Sequence, residues 1–209
     1  MTRRTVVFDV GGVLVQWKPL ELMRMHFGEL ATDDAGARAV MAQVFQTFAP
    51  EADWGAFDRG HVEPGALAER IAARTGYPRS QVEALIDAIP EHLQPMPESV
   101  ALLQRVRAAG HRLALLSNMP RPYAAHLEQA HECFGWFEHR TWSGRLGVMK
   151  PQREIFDHPR QAAGLDLAHA VFIDDHHGNI DAARSYGWRA IHFDGAAGCT
   201  AALEREGFL

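Results

Sequence analysis

Four short apolar runs govern what this chain can fold into: TVVFDV (Thr5–Val10), RLALLSN (Arg112–Asn118), AVFIDD (Ala170–Asp175) and RAIHF (Arg189–Phe193). Each is brief and rich in β-branched or aromatic residues, the pattern of strands buried on both faces. EHRTWS (Glu138–Ser143) is a weaker fifth. Helical patterns separate them. Leu102, Leu103 and Val106 share one face of Glu98–Ala109 before Gly110, and Asn179–Tyr186 stops at Gly187. Apolar strands alternating with helices predict an α/β fold, a parallel sheet covered on both faces. Pro159 falls within the helical stretch Arg153–Ala163, which predicts a break or kink there.

Residues 16–95 interrupt this alternation with helical patterns alone. Leu67 and Ile71 lie one turn apart in EPGALAERIAARTG (Glu63–Gly76). SQVEALIDAI opens with Ser80 and Glu83, the spacing of a capping box. Pro90, Pro95 and Pro97 then mark the return to the sheet. A length of 209 residues suits one domain carrying such an insertion. Expected hinges lie near Gln16–Pro19 and Gln94–Pro97, where the chain crosses between the two parts.

Net charge is −5, and basic clusters such as Arg3-Arg4 are short, which argues against a nucleic-acid binder. No apolar run approaches the ~20 residues needed to span a bilayer. Asp9 interrupts the N-terminal apolar run and no small-residue cleavage site follows, unlike a signal peptide. Cys133 and Cys199 stand far apart and read as reduced thiols. The expectation is a cytoplasmic protein without a membrane or nucleic-acid partner, either monomeric or homodimeric.

Ligands of open parallel sheets gather beyond the C-terminal strand ends. There the sequence puts Asp9, then Ser117-Asn118, then Asp174-Asp175, with Lys150 in the loop GVMKP. A carboxylate in an apolar run such as VVFDVGGVLV is costly unless something pairs with it. Taken singly, Asp9 suits a turn cap, Ser117-Asn118 a turn and Lys150 a solvated surface. Together, in this order, they form a chemical constellation.

FDVGGVL, LLSN, KP and FIDD…N resemble, in this order, the four motifs of the haloacid dehalogenase superfamily. The helical insertion resembles that superfamily's cap. The resemblance spans essentially the whole chain. It implies a Rossmann-like three-layer core over residues 1–15 and 96–209, with a helical cap over 16–95. WGAFDRGHVEP and GVMKPQREIF are most similar to bacterial phosphatases of the α-D-glucose-1-phosphate type. The implied reaction hydrolyses a small phosphorylated metabolite, a sugar phosphate by this likeness. Asp9 attacks phosphorus to give an aspartyl-phosphate that water hydrolyses. Mg²⁺ is the implied cofactor, held by Asp9, Asp174, the backbone carbonyl at Gly11, and Asp175 directly or through water. Ser117, Asn118 and Lys150 would hold the phosphate, Lys150 also neutralising Asp9, while Asn179 would position the acidic loop.

Most phosphatases of this superfamily carry a second aspartate, the general acid and base, where this chain has Gly11. Glycine there keeps the carbonyl and allows a tight turn. Proton transfer would then need a good leaving group or a substitute acid, for which His176 and His177 are candidates. Two other readings stay open: a metal-independent 2-haloacid dehalogenase, and a phosphate-binding protein with impaired turnover. The DD pair favours a cation over the dehalogenase, because adjacent carboxylates repel. Trp17, Met23, His26, Trp54 and Phe57 are candidates for a pocket wall in the cap, each equally suited to its core.

Overall fold

The computed structural model describes residues 3–209. In chain order, β1 (Thr5–Phe8) leads into five helices: α1 (Pro19–His26), α2 (Asp34–Phe45), α3 (Asp53–Asp58), α4 (Pro64–Thr75) and α5 (Arg79–His92). There follow α6 (Pro97–Ala108), β2 (Arg112–Ser117), α7 (Arg121–Ala130), β3 (His139–Trp142) and the single turn α8 (Ser143–Leu146). The chain closes with α9 (Arg153–Ala163), β4 (Ala170–Asp174), α10 (His177–Ser185), β5 (Arg189–His192) and α11 (Ala196–Arg205).

All five strands pair in parallel, in the order β3-β2-β1-β4-β5. Because side chains alternate across a strand, each run feeds two cores. Val6, Phe8, Leu113, Leu115, Val171 and Ile173 point to one face, under α6, α7, α11 and the helical insertion. Val7, Ala114, Leu116 and Phe172 point to the other, under Ile155, Phe156, Ile180 and Ala183 of α9 and α10. The result is three layers. Each such burial contributes roughly 1.5–3 kcal/mol before chain entropy is charged against it.

The insertion is helical as its sequence patterns predict, and no strand forms there among the described residues. Leu67 and Ile71 of α4 are buried, and Gly76 ends the helix at φ 76°. The two crossings run side by side: Gln16 N–H donates to Gln94 O at 2.9 Å, and Met96 N–H to Leu14 O at 2.9 Å.

Two local expectations are corrected. Pro159 does not break α9, which runs unbroken through it with the ring buried against the second core. Its packing outweighs the backbone hydrogen bond that proline cannot donate. Ser80 does not cap α5, because the helix starts one residue earlier behind Pro78. Glu83 accepts instead from Arg79 Nε at 2.8 Å.

Candidate active site

The order of the sheet reverses around β1, which lies between β2 and β4, and this is where doubly wound sheets open a crevice. Asp9 follows β1 directly, and its N–H donates to Ile173 O at 2.8 Å, which clamps it beside β4. The chain then turns sharply, with Gly12 N–H bonded to Val15 O at 2.9 Å and Leu14 N–H to Val10 O at 2.8 Å. Buried Ser99 of α6 secures this turn by donating to Val13 O at 2.6 Å.

Gly11 and Gly12 divide their tasks differently from the sequence expectation. The turn depends on Gly12, whose φ is 76° and whose missing Cβ leaves room for the Asp175 carboxylate. Gly11 has no left-handed φ, and a Cβ added to it would meet nothing within 4 Å. It borders an open cavity instead.

Lys150 reaches this centre from the loop after α8 and is 2% exposed. Its Nζ lies 2.8 Å from Asp9 Oδ1 and 2.6 Å from Asp174 Oδ2. Both approaches are buried ion pairs, and the one to Asp174 is also a hydrogen bond. Asn118 lines the cavity and bonds the lysine loop through both atoms of its amide. Its Oδ1 accepts from Lys150 N–H at 2.7 Å and its Nδ2 donates to Lys150 O at 3.0 Å, which locks the lysine loop to the end of β2. Ser117, the last residue of β2, is buried and lines the cavity.

Asp174 ends β4 without any exposure. Its Oδ1 accepts from His176 N–H at 2.8 Å, and Asn179 Nδ2 lies 3.1 Å from both its oxygens. Asp175, next in the chain, is exposed. His176 lines the cavity, whereas His177 stacks on His192 with ring centroids 3.9 Å apart and lies away from it.

The charges strain against one another. Burial raises the Asp9 pKa to about 7; Lys150 opposes this, and the charges of Asp174 and Asp175 add to it. Burial, then Asp174, also raises Asp175. Burial alone would lower Lys150, but its two carboxylate neighbours outweigh that and raise it. One ammonium faces three carboxylates, so two negative charges stay uncompensated when all ionise. The oxygens of Asp9, Asp174 and Asp175 lie within 4.8 Å of one another. Three carboxylate oxygens gathered this closely are the hard donors that Mg²⁺ prefers. The donor set and its surplus charge fit a hard divalent cation.

The cavity in front of these groups encloses about 400 Å³. Trp17, Phe48, Pro50, Trp54, Ile89 and Leu93 supply much of its wall. Of the five candidates from the insertion, Trp17 and Trp54 face it; Met23 and Phe57 are buried core, and His26 stands apart. Asp58 also lines it and escaped the sequence reading. The available signal was spacing: Asp58 follows Trp54 and Phe57 at i+4 and i+1, so an acid shares the apolar face of α3.

Among the described residues, no helix is long and apolar enough to cross a membrane. Both cysteines are free and buried, and burial lifts the Cys199 thiol to about 12.

Residues 3–187 match the sequence profile of the haloacid dehalogenase-like hydrolases. The sesquiterpene phosphatase astK of Aspergillus oryzae is 25% identical over 199 residues, which cover 95% of this chain and 94% of that protein. A haloacid dehalogenase family enzyme of Bacteroides thetaiotaomicron, solved with magnesium and inorganic phosphate, has TM-score 0.69 and 20% identity over 91% of this chain and 93% of that one. The L-2-haloacid dehalogenase of Xanthobacter autotrophicus, with chloropropionic acid covalently bound, gives TM-score 0.66 at 16% identity, covering 100% and 85%. With a profile match over most of its length and a parallel sheet that gathers acids at one edge, the chain belongs to the haloacid dehalogenase-like hydrolases.

Proposed function

We propose that this hydrolase is a Mg²⁺-dependent phosphomonoesterase whose nucleophile is Asp9. The observation that carries the reading is the convergence of Asp9, Asp174 and Asp175 within 4.8 Å around one lysine, at the mouth of the cavity. Asp9, Asp175 and Asp174 would hold the cation, with the Gly11 carbonyl as a further donor. When bound, Mg²⁺ supplies positive charge that lets a carboxylate and a phosphate dianion approach each other.

The chain's own residues do the rest. Lys150 neutralises Asp9 and orients its oxygen, and Ser117 donates to a phosphate oxygen. Asn118 holds the lysine loop and borders the cavity, where it would stand beside the phosphate with Ser117. Asn179 fixes Asp174 by bonding both its oxygens. Asp9 attacks phosphorus in line, the ester oxygen departs, and water later cleaves the aspartyl-phosphate. The cavity walls exclude bulk water from the first transfer.

The wall also bears on the substrate. A sugar would bury hydroxyls beside Trp17, Phe48, Ile89 and Leu93, which offer them few partners. A phosphomonoester with a compact apolar organic group suits this lining better than the sugar phosphate implied by the motifs. The relative that acts as a sesquiterpene phosphatase supports the same preference.

The test is phosphate release from p-nitrophenyl, benzyl, prenyl and sugar phosphates, with Mg²⁺ or with EDTA, by the parent and by Asp9→Asn. Expected are Mg²⁺-dependent turnover favouring apolar esters, and a loss in Asp9→Asn on the order of 10³-fold or more. Absence of phosphate release from every ester would overturn the reading. Chloride release from 2-chloropropionate in EDTA would replace it with dehalogenation.

A further inference from the structure

α3 ends on an acid that this scheme leaves idle. Asp58 is 5% exposed, and it borders the same cavity as Asp9 and Gly11. Its backbone carbonyl accepts from Ser143 Oγ at 2.6 Å, which pins the end of α3 to the sheet domain. Ser143 Oγ also accepts from Met119 N–H at 2.8 Å, so one buried serine joins the insertion to the loop after β2. The Asp58 carboxyl, in contrast, is influenced by burial and the Lys150 charge, with no hydrogen bond among the described residues holding it in its charged form. A buried carboxyl without a donor is costly unless it keeps its proton or meets a ligand.

Its surroundings favour the proton. Burial raises Asp58 to about 8, and the more distant Lys150 charge only partly opposes this. From α7, Tyr123 faces it as a neutral phenol, its hydroxyl donating to Ile86 O at 2.8 Å. Burial, then Asp58, then Asp87 of α5 raise the tyrosine in turn. Arg59 is held by Gly55 O and Pro50 O, and Arg121 by Gly144 O, so neither neighbouring guanidinium is committed to the carboxyl. Burial thus favours the protonated form of a carboxyl that shares its cavity with Gly11, where the family's pattern has an acid.

We propose that Asp58, carried by the helical insertion, protonates the departing ester oxygen in place of the acid that Gly11 does not supply. The inference rests on the phosphomonoesterase reading. In the first transfer, the Asp9 oxygen–phosphorus bond forms and the phosphorus–ester oxygen bond breaks. The electron pair of the broken bond takes the Asp58 proton, giving a neutral alcohol, an aspartyl-phosphate and the Asp58 carboxylate. In the second, that carboxylate accepts a proton from the attacking water. Phosphate leaves, Asp9 is regenerated as a carboxylate, and Asp58 is again protonated. An acid on the insertion couples proton delivery to the presence of the cavity wall. It would fill the role of the second aspartate whose position Gly11 occupies.

The experiment compares kcat/KM for benzyl phosphate, whose alkoxide needs a proton, with that for p-nitrophenyl phosphate, whose phenolate does not. Asp58→Asn should lower the benzyl-to-nitrophenyl ratio by ~10²–10⁴-fold, the usual range for general acid catalysis. Asp58→Glu should recover part of that ratio. The alkaline limb of the benzyl phosphate pH profile should disappear in Asp58→Asn. Equal losses on both esters would indicate a structural role and overturn the proposal, as would an unchanged ratio. The unaltered enzyme gives a check independent of folding in the variants. A steep fall of kcat/KM with rising leaving-group pKa would exclude an internal acid. Absence of phosphate release from either ester by the unaltered enzyme defeats the phosphomonoesterase reading itself, which separates the two failures.

Discussion

Lys150 Nζ lies 2.6 Å from Asp174 Oδ2, with both side chains almost wholly shut off from solvent. The same ammonium lies 2.8 Å from Asp9, so one cation supports two carboxylates at the junction of β1 and β4. Such a pair need not stabilise the fold relative to apolar residues, but breaking it strands the survivors.

Removing the lysine tests that dependence. Lys150→Ala is expected to lower unfolding free energy by about 3–5 kcal/mol, read from urea denaturation in EDTA. Mg²⁺ should recover part of the loss by countering the stranded carboxylates. A change below about 1 kcal/mol would show that the two carboxylates do not depend on the lysine.

The paired glycines should respond in opposite ways. At Gly12 the left-handed φ costs an L-residue roughly 1–2 kcal/mol, and a Cβ there would also overlap Asp175 Oδ2. Gly12→Ala should therefore lose stability and weaken Mg²⁺ binding. Gly11→Ala meets no neighbour within 4 Å and should be neutral or gain about 0.4–1 kcal/mol from the stiffer unfolded chain. Urea midpoints for the two variants decide the matter, and equal losses would contradict this division.

Metal removal is expected to leave a folded but less stable protein. At a hundredfold excess over Kd, Mg²⁺ should add about 2.7 kcal/mol, raising Tm by about 5 °C or more over the EDTA-treated protein. Asp175→Asn should abolish most of that rise. Calorimetry showing no heat of Mg²⁺ binding, with no thermal shift, would count against the three-aspartate site.

Asp58 should make stability fall with pH in the metal-free protein. Burial raises it from the ordinary 3.8 to about 8, so the folded state binds its proton more tightly than the unfolded chain. The stabilisation is complete below pH 3.8 and is lost as pH rises through about 8. Asp58→Asn stays neutral throughout. It should exceed the parent by on the order of 5 kcal/mol at pH 9, a rise in Tm of roughly 10 °C or more, with the gap closing near pH 4. Parallel stability curves for the two proteins would refute this.

Particular residues show where sequence reasoning reached and where it stopped. Val6, Val7 and Phe8 form a strand because a short apolar run has one economical place, a sheet covered on both sides. From that follow the parallel topology and the edge at which Asp9, Ser117 and Asp174 emerge. Pro159 and Ser80 misled because helix continuity and helix ends alike balance backbone hydrogen bonds against packing, and neighbouring elements set the packing.

What the order of residues determined by itself was the sheet, the helical insertion, and the set of charged groups at the strand ends, since period and spacing are local properties. Only the tertiary structure decided that Asn118 serves Lys150, that Gly12 rather than Gly11 makes the turn, and that Asp58 faces the cavity. These depend on distances between segments far apart in the chain, and on the burial that such meetings impose. Burial makes the difference between a solvated aspartate and one that keeps its proton near pH 8.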